Sequence, residues 1–170
     1  IEAGHIDQAR LLAILDRHGS RLHLGELLML RRFLAPSVVS RALRAQRAGE
    51  PLGETLLRLQ LIEPSALAEA LAEQSGIACI PIQQIPPDPT LARFLNPAYA
   101  LQHGIAPVAR RGQTLVVALW EPESLAAVEE LERSAGLLCL PVLTTKREVE
   151  DRLRAVYLDA EIDDTSVQAA

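Results

Sequence analysis

Aromatic residues and the sequence motifs of common enzyme classes are scarce or missing in this chain of 170 residues. Only two Phe, two Tyr and one Trp are present, so the apolar residues, 49% of the total, must form an aliphatic core. There is no phosphate-binding G-x-x-x-x-G-K-[ST] loop, no G-x-G-x-x-G, no H-E-x-x-H and no G-x-S-x-G. The histidines are scattered without metal-ligand spacing, at His5, His18, His23 and His103. These absences argue against an enzyme that acts alone and against a metal site.

Long apolar runs, positive net charge and cysteine are also scarce or missing, which argues against membrane-spanning and nucleic-acid-binding proteins. No stretch approaches the roughly 20 apolar residues of a membrane helix, and no secretory signal opens the chain. A single lysine stands against sixteen arginines, and the net charge of −5 disfavours nucleic-acid binding. Cys79 and Cys139 are isolated within apolar runs, which predicts two buried, unreactive thiols in a reducing compartment.

The chain contains one sequence motif in two tandem copies. Residues 24–46 and 52–74 align with an offset of 28 positions, and nine of the 23 residues are identical. Each copy predicts a hairpin of two helices, because a Leu-Gly-Glu start is followed by a proline, which the first position of a second helix tolerates. In the second helix of each copy, residues three and four positions apart form an apolar stripe that ends at a glutamine: Val39, Ala42, Leu43 and Gln46 in the first copy, and Leu67, Ala70, Leu71 and Gln74 in the second. A pattern present only twice predicts two matching half-sites or one pseudo-symmetric unit.

The repeated glycine and the repeated glutamine are unusual for such hairpins. A glycine near a helix start costs roughly 1 kcal/mol relative to alanine, so Gly25 and Gly53 indicate the close approach of a backbone or a ligand. A glutamine side chain donates and accepts hydrogen bonds at once, which suits Gln46 and Gln74 to ligand binding. The alternative is structural: the glycines permit tight helix packing, and the glutamines are surface residues.

In these residues the chain resembles the MshEN domain. This is the N-terminal domain of type II secretion and type IV pilus assembly ATPases, and it is also attached to some bacterial membrane glycosyltransferases. The family motif is roughly R-L-G, a leucine, a mid-motif glycine, a leucine stripe and a closing glutamine, repeated after a short spacer. The chain departs from it at His23 and Pro51, which replace the arginine, and at Arg32 and Gln60, which replace the mid-motif glycine. Its spacer is also one residue shorter.

The resemblance implies a ligand and its site. Members that match the motif well bind cyclic di-GMP between the two copies, and a twofold-symmetric dinucleotide suits a twice-repeated motif. The implied binding residues are His23, Leu24, Gly25, Leu28, Val39, Leu43, Gln46, Leu52, Gly53, Leu56, Leu67, Leu71 and Gln74. No catalytic residue, metal or other cofactor is expected in the chain.

From Gly76 onward the periodicity changes and predicts an α/β half. Apolar runs at 77–82, 105–109, 114–119 and 137–143 predict strands, with a turn at 110–113 and helices from about 90, at 124–135, and from Thr145 to Val156 or Tyr157. The strand–helix–strand order from 114 to 143 implies one parallel crossover. The predicted fold class is therefore α+β. It comprises a leading helix (1–20), a helical tandem-hairpin subdomain (21–76), a small α/β subdomain with a three- to four-stranded mixed sheet (77–158) and a disordered tail (159–170).

The sequence and the resemblance lead to one functional hypothesis and one alternative. The hypothesis is a non-catalytic regulatory module that binds cyclic di-GMP. It would control a catalytic domain in the same polypeptide, a secretion or pilus ATPase or a glycosyltransferase, at the cytoplasmic face of the bacterial inner membrane. The alternative is a protein-docking domain that contacts the cytoplasmic part of an inner-membrane protein without binding nucleotide. The missing motif arginines favour this alternative, and the retained glycine and glutamine pairs favour the first.

The two ends of the sequence give an indication of the longer protein to which the chain belongs. The chain starts with isoleucine and ends in the polar residues 165–170. We therefore expect it to be part of a longer polypeptide, and these ends slightly favour a glycosyltransferase host over an ATPase.

Overall fold

The computed structural model describes the backbone of residues 22–167 and the side chains of residues 22–157. The predicted leading helix at 1–20 lies outside the described residues. The helical half consists of α1 (Leu24–Leu30), α2 (Pro36–Ala45), α3 (Leu52–Arg58) and α4 (Pro64–Ser75), which form the two predicted hairpins. Pro36 and Pro64 open the second helix of each hairpin, as the sequence predicts.

A small aliphatic core joins the two hairpins. Leu28, Ala42, Leu56 and Ala70 are fully buried in it, and Leu27 is nearly so. Positions 28 and 56 are equivalent in the two copies, and so are positions 42 and 70. Each hairpin therefore contributes the same side chains to the same core, and burial of a leucine of this kind stabilises the fold by roughly 1.5–3 kcal/mol.

The first helix of each hairpin ends in the same left-handed turn. Arg32 and Gln60 have φ angles of 59° and 53°, in the region of backbone space that suits glycine. In both turns the N–H of the following residue donates to the carbonyl five residues earlier, at 2.9 Å. This arrangement caps the last turn of a helix. Arg32 and Gln60 are also the two positions where the family motif has its mid-motif glycine.

A four-stranded mixed sheet forms the centre of the α/β half, in the order β1–β4–β3–β2. Its strands are β1 (Ala78–Cys79), β2 (Ile105–Arg111), β3 (Thr114–Leu119) and β4 (Leu138–Leu143). β2 and β3 form the predicted antiparallel hairpin, and β4 lies parallel to both β3 and β1. The helices of this half are α5 (Pro97–His103), α6 (Leu125–Ala135) and α7 (Lys146–Val167), with short 3-10 helices at Ile82–Gln84, Pro89–Phe94 and Pro122–Ser124. α6 makes the predicted crossover between β3 and β4.

The segment that leads into the sheet differs from its prediction. β1 has only two residues, because the chain turns into a 3-10 helix that buries Ile82 in the core. Cys79 on β1 is exposed, so the prediction that both thiols are buried is correct for Cys139 and wrong for Cys79. The helix predicted from about Thr90 is a 3-10 helix, which Asp88 caps by accepting from the N–H of Thr90 at 3.0 Å.

Two buried charged residues of α7 hold the segment that follows β1, including its 3-10 helix. Arg152, 5% exposed, donates to the backbone carbonyls of Ile82 and Pro86 at 2.6 and 3.0 Å. Glu148, 8% exposed, accepts from the N–H of Ile82 at 3.3 Å and from the hydroxyl of Thr144. Because buried polar groups must find partners, these bonds fix the segment against α7.

The last helix is longer than predicted. α7 runs to Val167, past the predicted end at Val156 or Tyr157 and into the segment from 159 for which the sequence predicts disorder. No glycine or proline interrupts 146–167, so nothing in the local sequence breaks the helix. Among the described residues, no helix combines the length and the apolar composition that crossing a bilayer requires.

Glycine substitution tests the geometry of the two left-handed turns. A non-glycine residue in the left-handed region strains the folded state by roughly 1–2 kcal/mol. Glycine removes this strain, but its greater conformational entropy stabilises the unfolded chain by about 0.4–1 kcal/mol. Arg32→Gly and Gln60→Gly should therefore each raise the free energy of unfolding by about 0.5–1 kcal/mol, measured by urea denaturation. The matched control is Arg41→Gly, an exposed position inside α2, which should lower it by about 1 kcal/mol. A loss at Arg32 as large as the loss at Arg41 would contradict the described turn.

Candidate functional site

The contacts between the two hairpins are reciprocal and are related by an approximate twofold symmetry. A Cβ added to Gly25 would lie 3.3 Å from Cδ2 of Leu52, and one added to Gly53 would lie 3.6 Å from Cδ2 of Leu24. The glycine of each copy therefore faces the leucine of the other. Each glycine also faces an apolar side chain of the second helix of its own hairpin, at 3.2–3.3 Å. Close packing is thus one role of both glycines, because a larger side chain would have to displace these neighbours.

The glutamines that end the two motif copies also make reciprocal contacts between the copies. Nε2 of Gln74 donates to the carbonyl of Leu22 at 2.7 Å, and Nε2 of Gln46 donates to the carbonyl of Glu50. Positions 22 and 50 are again equivalent in the two copies. Each glutamine therefore holds the segment that leads into the Leu-Gly pair of the other copy. Among the described residues both glutamines act as donors, and neither amide oxygen accepts a hydrogen bond.

A cavity of about 890 Å³ lies between the two hairpins and the α/β half. Ligand pockets commonly measure roughly 300–1,000 Å³, so its volume suits a bound small molecule. The hairpins line it with equivalent pairs, Leu24 and Leu52, Gly25 and Gly53, Leu43 and Leu71, Gln46 and Gln74, together with His23, Pro51, Glu54, Leu57, Pro64, Leu67 and Ala68. The two copies therefore present matching residues to one shared space.

Most of the residues that the motif implies as binding residues line this cavity. The exceptions are Leu28, Val39 and Leu56, which are 0–3% exposed and lie behind the lining. They pack beneath the lining and support its helices. Leu43, by contrast, is 52% exposed and lines the cavity. Exposed apolar surface in a concave site is typical of ligand binding.

The α/β half supplies a third wall of the cavity, which the sequence analysis missed. This wall consists of residues that follow the carboxyl ends of β3 and β4, namely Trp120, Glu121, Glu123, Thr144, Thr145, Lys146, Arg147 and Glu150. Ligands commonly bind outside the carboxyl ends of parallel strands. A signal was therefore present in the sequence: polar residues directly follow two predicted strands that one parallel crossover connects.

The charged side chains around the cavity are of both signs: the carboxylates of Glu54, Glu121, Glu123 and Glu150, and the cations of Lys146 and Arg147. Burial raises the pKa of Glu121, and the charges of Glu123 and Glu54 raise it further, whereas Lys146 acts in the opposite direction. A partly buried carboxylate among other carboxylates gains from a hydrogen-bond donor. The carboxylate-lined part of the cavity thus suits a ligand that carries hydrogen-bond donors.

Glu50 fixes the junction between the two copies. Its carboxylate accepts from Nε and Nη2 of Arg58 at 2.8 and 2.7 Å, from the N–H of Arg47 at 3.1 Å and from the hydroxyl of Thr55 at 2.9 Å. These bonds, above all those from Arg58, lower the pKa of Glu50 from 4.5 to about 2. Because the backbone carbonyl of Glu50 accepts from Gln46, the same network positions a lining residue of the cavity.

A family model decides the relationship of this chain to known proteins. The model of the MshEN domain matches residues 75–163, more than half of the chain. The chain belongs to the MshEN domain family. The match covers the α/β half and the very end of α4, so almost all of the tandem motif lies N-terminal to the matched residues.

Bacterial pilus ATPases and a phage adsorption protein are similar to this MshEN domain. The type IV pilus assembly ATPase PilB of Myxococcus xanthus is 26% identical over 137 residues, which are 80% of this chain and 24% of that protein. PilB of Pseudomonas aeruginosa is 29% identical over 116 residues, 68% of this chain and 20% of that protein. Bacteriophage adsorption protein B of Escherichia coli is 31% identical over 139 residues, 79% of this chain and 18% of that protein. The chain thus spans about a quarter or less of the length of these relatives.

Two solved structures share the fold. A structure of MshE with cdg, an abbreviation of cyclic di-GMP, has a TM-score of 0.68 and 26% identity, over 81% of this chain and 100% of that chain. A structure of the N-terminal domain of XpsE has a TM-score of 0.63 and 26% identity, over 79% of this chain and 93% of that chain. The predicted fold class, helical hairpins followed by a small mixed sheet, is confirmed.

Acid titration tests the network around Glu50. Because the pKa of Glu50 in the folded protein is about 2, below the ordinary 4.5, the unfolded chain takes up this proton first as the pH falls. The stabilisation from Glu50 is therefore complete above about pH 5 and is lost as the pH falls from about 4.5 toward 2. Urea denaturation over this range should show a smaller loss of stability for Glu50→Gln than for the wild type. The control Glu63→Gln, at the exposed start of α4, should behave as the wild type; equal losses in all three proteins would contradict the role of Glu50.

Proposed function

We propose that this MshEN domain binds one molecule of cyclic di-GMP in the cavity between its hairpins and its α/β half. The observation that carries the proposal is the twofold exchange of contacts, which brings the Leu-Gly pair and the glutamine of each copy to one space. Cyclic di-GMP has two identical halves, each with one guanine and one phosphate. A site with two matching half-sites suits such a ligand, and the similarity to MshE solved with cdg supports it.

The chemistry of the cavity lining supports a guanine dinucleotide. Leu43 and Leu71 occupy equivalent positions and offer aliphatic surface on which the purine faces can lie. The edge of guanine carries N–H donors, and carboxylates such as those of Glu54 and Glu121 accept hydrogen bonds from donors of this kind. Adenine presents fewer donors at the same edge, so we expect a preference for guanine.

The proposed role is regulation of an attached catalytic domain. A nucleotide that contacts both hairpins and the residues after β3 and β4 would fix the angle between the two halves of the domain. This change would be transmitted to a catalytic domain outside the chain, in a secretion or pilus ATPase or a glycosyltransferase, at the cytoplasmic face of the inner membrane. The similarity to both PilB and Bacteriophage adsorption protein B supports hosts of more than one kind.

Protein docking is the second candidate function, and an exposed apolar patch favours it. Leu138 and Leu140 of β4 are 60% and 52% exposed. They are two residues apart on one strand, so they lie on the same face of the sheet. Exposed apolar patches mark interaction surfaces. In this case the partner would be the cytoplasmic part of an inner-membrane protein, and His23 and Pro51 would reflect the loss of nucleotide binding.

Titration calorimetry of the purified chain distinguishes the two candidates. At near-physiological salt, cyclic di-GMP should bind with a micromolar or lower Kd and with 1:1 stoichiometry, because both half-sites face one cavity. GTP and cyclic di-AMP should bind at least about tenfold more weakly. Two ligands per chain would contradict the shared site. Absence of binding at about 100 µM ligand would contradict the nucleotide function and favour the docking function.

A pair of exposed leucines provides a matched test of the cavity. Leu43, 52% exposed, lines the cavity, whereas Leu101, 58% exposed on α5, does not. Loss of one leucine contact costs roughly 1.5–3 kcal/mol, so Leu43→Asn should raise the Kd for cyclic di-GMP about 10–100-fold. Leu101→Asn should bind as the wild type, and both variants should keep the unfolding free energy within about 0.5 kcal/mol. Equal affinities of the two variants would contradict the assigned site.

A further inference from the structure

The cations around the cavity are distributed unevenly between its walls. The hairpins supply the apolar pairs, and their lining residues include His23 but no lysine or arginine among those the structure describes. The α/β half supplies Lys146 and Arg147. A phosphate group bound away from bulk water is stabilised by charge-assisted hydrogen bonds. Within the described part of the cavity, the permanent positive charge for such a group therefore comes from the α/β half.

Trp120 and Gly104 together position Lys146. Trp120 follows β3, and its indole ring lies so close to Gly104 that an added Cβ there would overlap the ring. Gly104, with a φ of 63°, also ends α5, so both the backbone and the ring require a glycine at this position. Nζ of Lys146 lies over the Trp120 ring, 5.1 Å from its centroid, which is within the roughly 6 Å range of a cation–π interaction. The lysine at the start of α7 is thus held at the cavity by a fixed aromatic surface.

Lys146 is better placed for a ligand than its neighbour Arg147. Nε of Arg147 lies 3.6 Å from the carboxylate of Asp151, and the Arg147 side chain is 91% exposed. The ion pairs among residues 22–157 do not include Lys146. Within this range its charge acts on Glu121 without forming an ion pair, so its hydrogen-bond donors are left for a molecule in the cavity.

We infer that Lys146, held over Trp120, binds a phosphate group of the nucleotide, so that the α/β half recognises the ligand together with the hairpins. This inference rests on the proposed function, because the phosphate is that of cyclic di-GMP. One ligand then bridges both halves of the domain, which gives the proposed regulation its physical link. Trp120 is the only tryptophan of the chain, so its fluorescence reports whether the site is occupied.

The test is titration of the whole chain with cyclic di-GMP, followed by calorimetry and by the emission of Trp120. Ligand should change the emission of the wild type. Lys146→Ala should raise the Kd about tenfold and make it less sensitive to salt, because one charge-assisted hydrogen bond is lost. Lys146→Arg keeps the charge and should stay within about threefold of the wild type. The control Arg154→Ala removes the same charge from an exposed position of α7 outside the cavity, and its Kd should stay within about twofold.

The outcomes separate this inference from the proposed function. Equal Kd values for the wild type and Lys146→Ala would overturn the role of Lys146 and leave the proposed function intact. Equal losses in Lys146→Ala and Arg154→Ala would show a general effect of charge and would also overturn it. Failure of the wild type to bind would remove the proposed function and this inference together. Lys146 is exposed, so the thermal midpoint of Lys146→Ala should match that of the wild type and exclude unfolding as the cause.

Discussion

The exchange of contacts between the two copies of the motif is the constraint on which the rest of the site depends. Gly25 faces Leu52 and Gly53 faces Leu24, so the two Leu-Gly pairs meet across a pseudo-twofold axis. The closing glutamine of each copy then holds the segment that precedes the pair of the other. A cavity with two equivalent walls follows from this arrangement. The α/β half closes it on a third side, where the carboxyl ends of two parallel strands meet.

The two copies of the motif resemble each other more in their backbone conformation than in their side chains. Both first helices end in a left-handed turn although neither copy has a glycine there. The ion pair of Glu50 with Arg58 occurs once, because the equivalent positions of the first copy are Leu22 and Leu30. Lys146 likewise belongs to the unrepeated half of the chain and has no symmetric counterpart. A symmetric ligand would therefore meet similar apolar contacts in its two halves but different charges.

Sequence alone predicted those features that depend on local periodicity. The hairpins, the prolines that open their second helices and the antiparallel pairing of β2 with β3 all follow from spacings within a few residues, whereas the order of the four strands in the sheet was not predicted. The third wall had a sequence signal in the polar residues that follow two predicted strands. The place of Lys146 in that wall had none, because it depends on Trp120 and Gly104, which only the folded sheet brings together. Leu28 and Leu56 were included among the binding residues because they recur in the motif. The structure places both in the core, where they support the cavity without lining it.

A crystal structure of this chain with cyclic di-GMP would show whether the two hairpins share one ligand. We expect one nucleotide per chain, with its twofold axis on the pseudo-twofold axis of the hairpins. One guanine should lie against Leu43 and the other against Leu71, and a phosphate oxygen should lie within hydrogen-bond distance of Nζ of Lys146. A nucleotide bound to a single hairpin, or on a surface outside the cavity, would rule out the shared site.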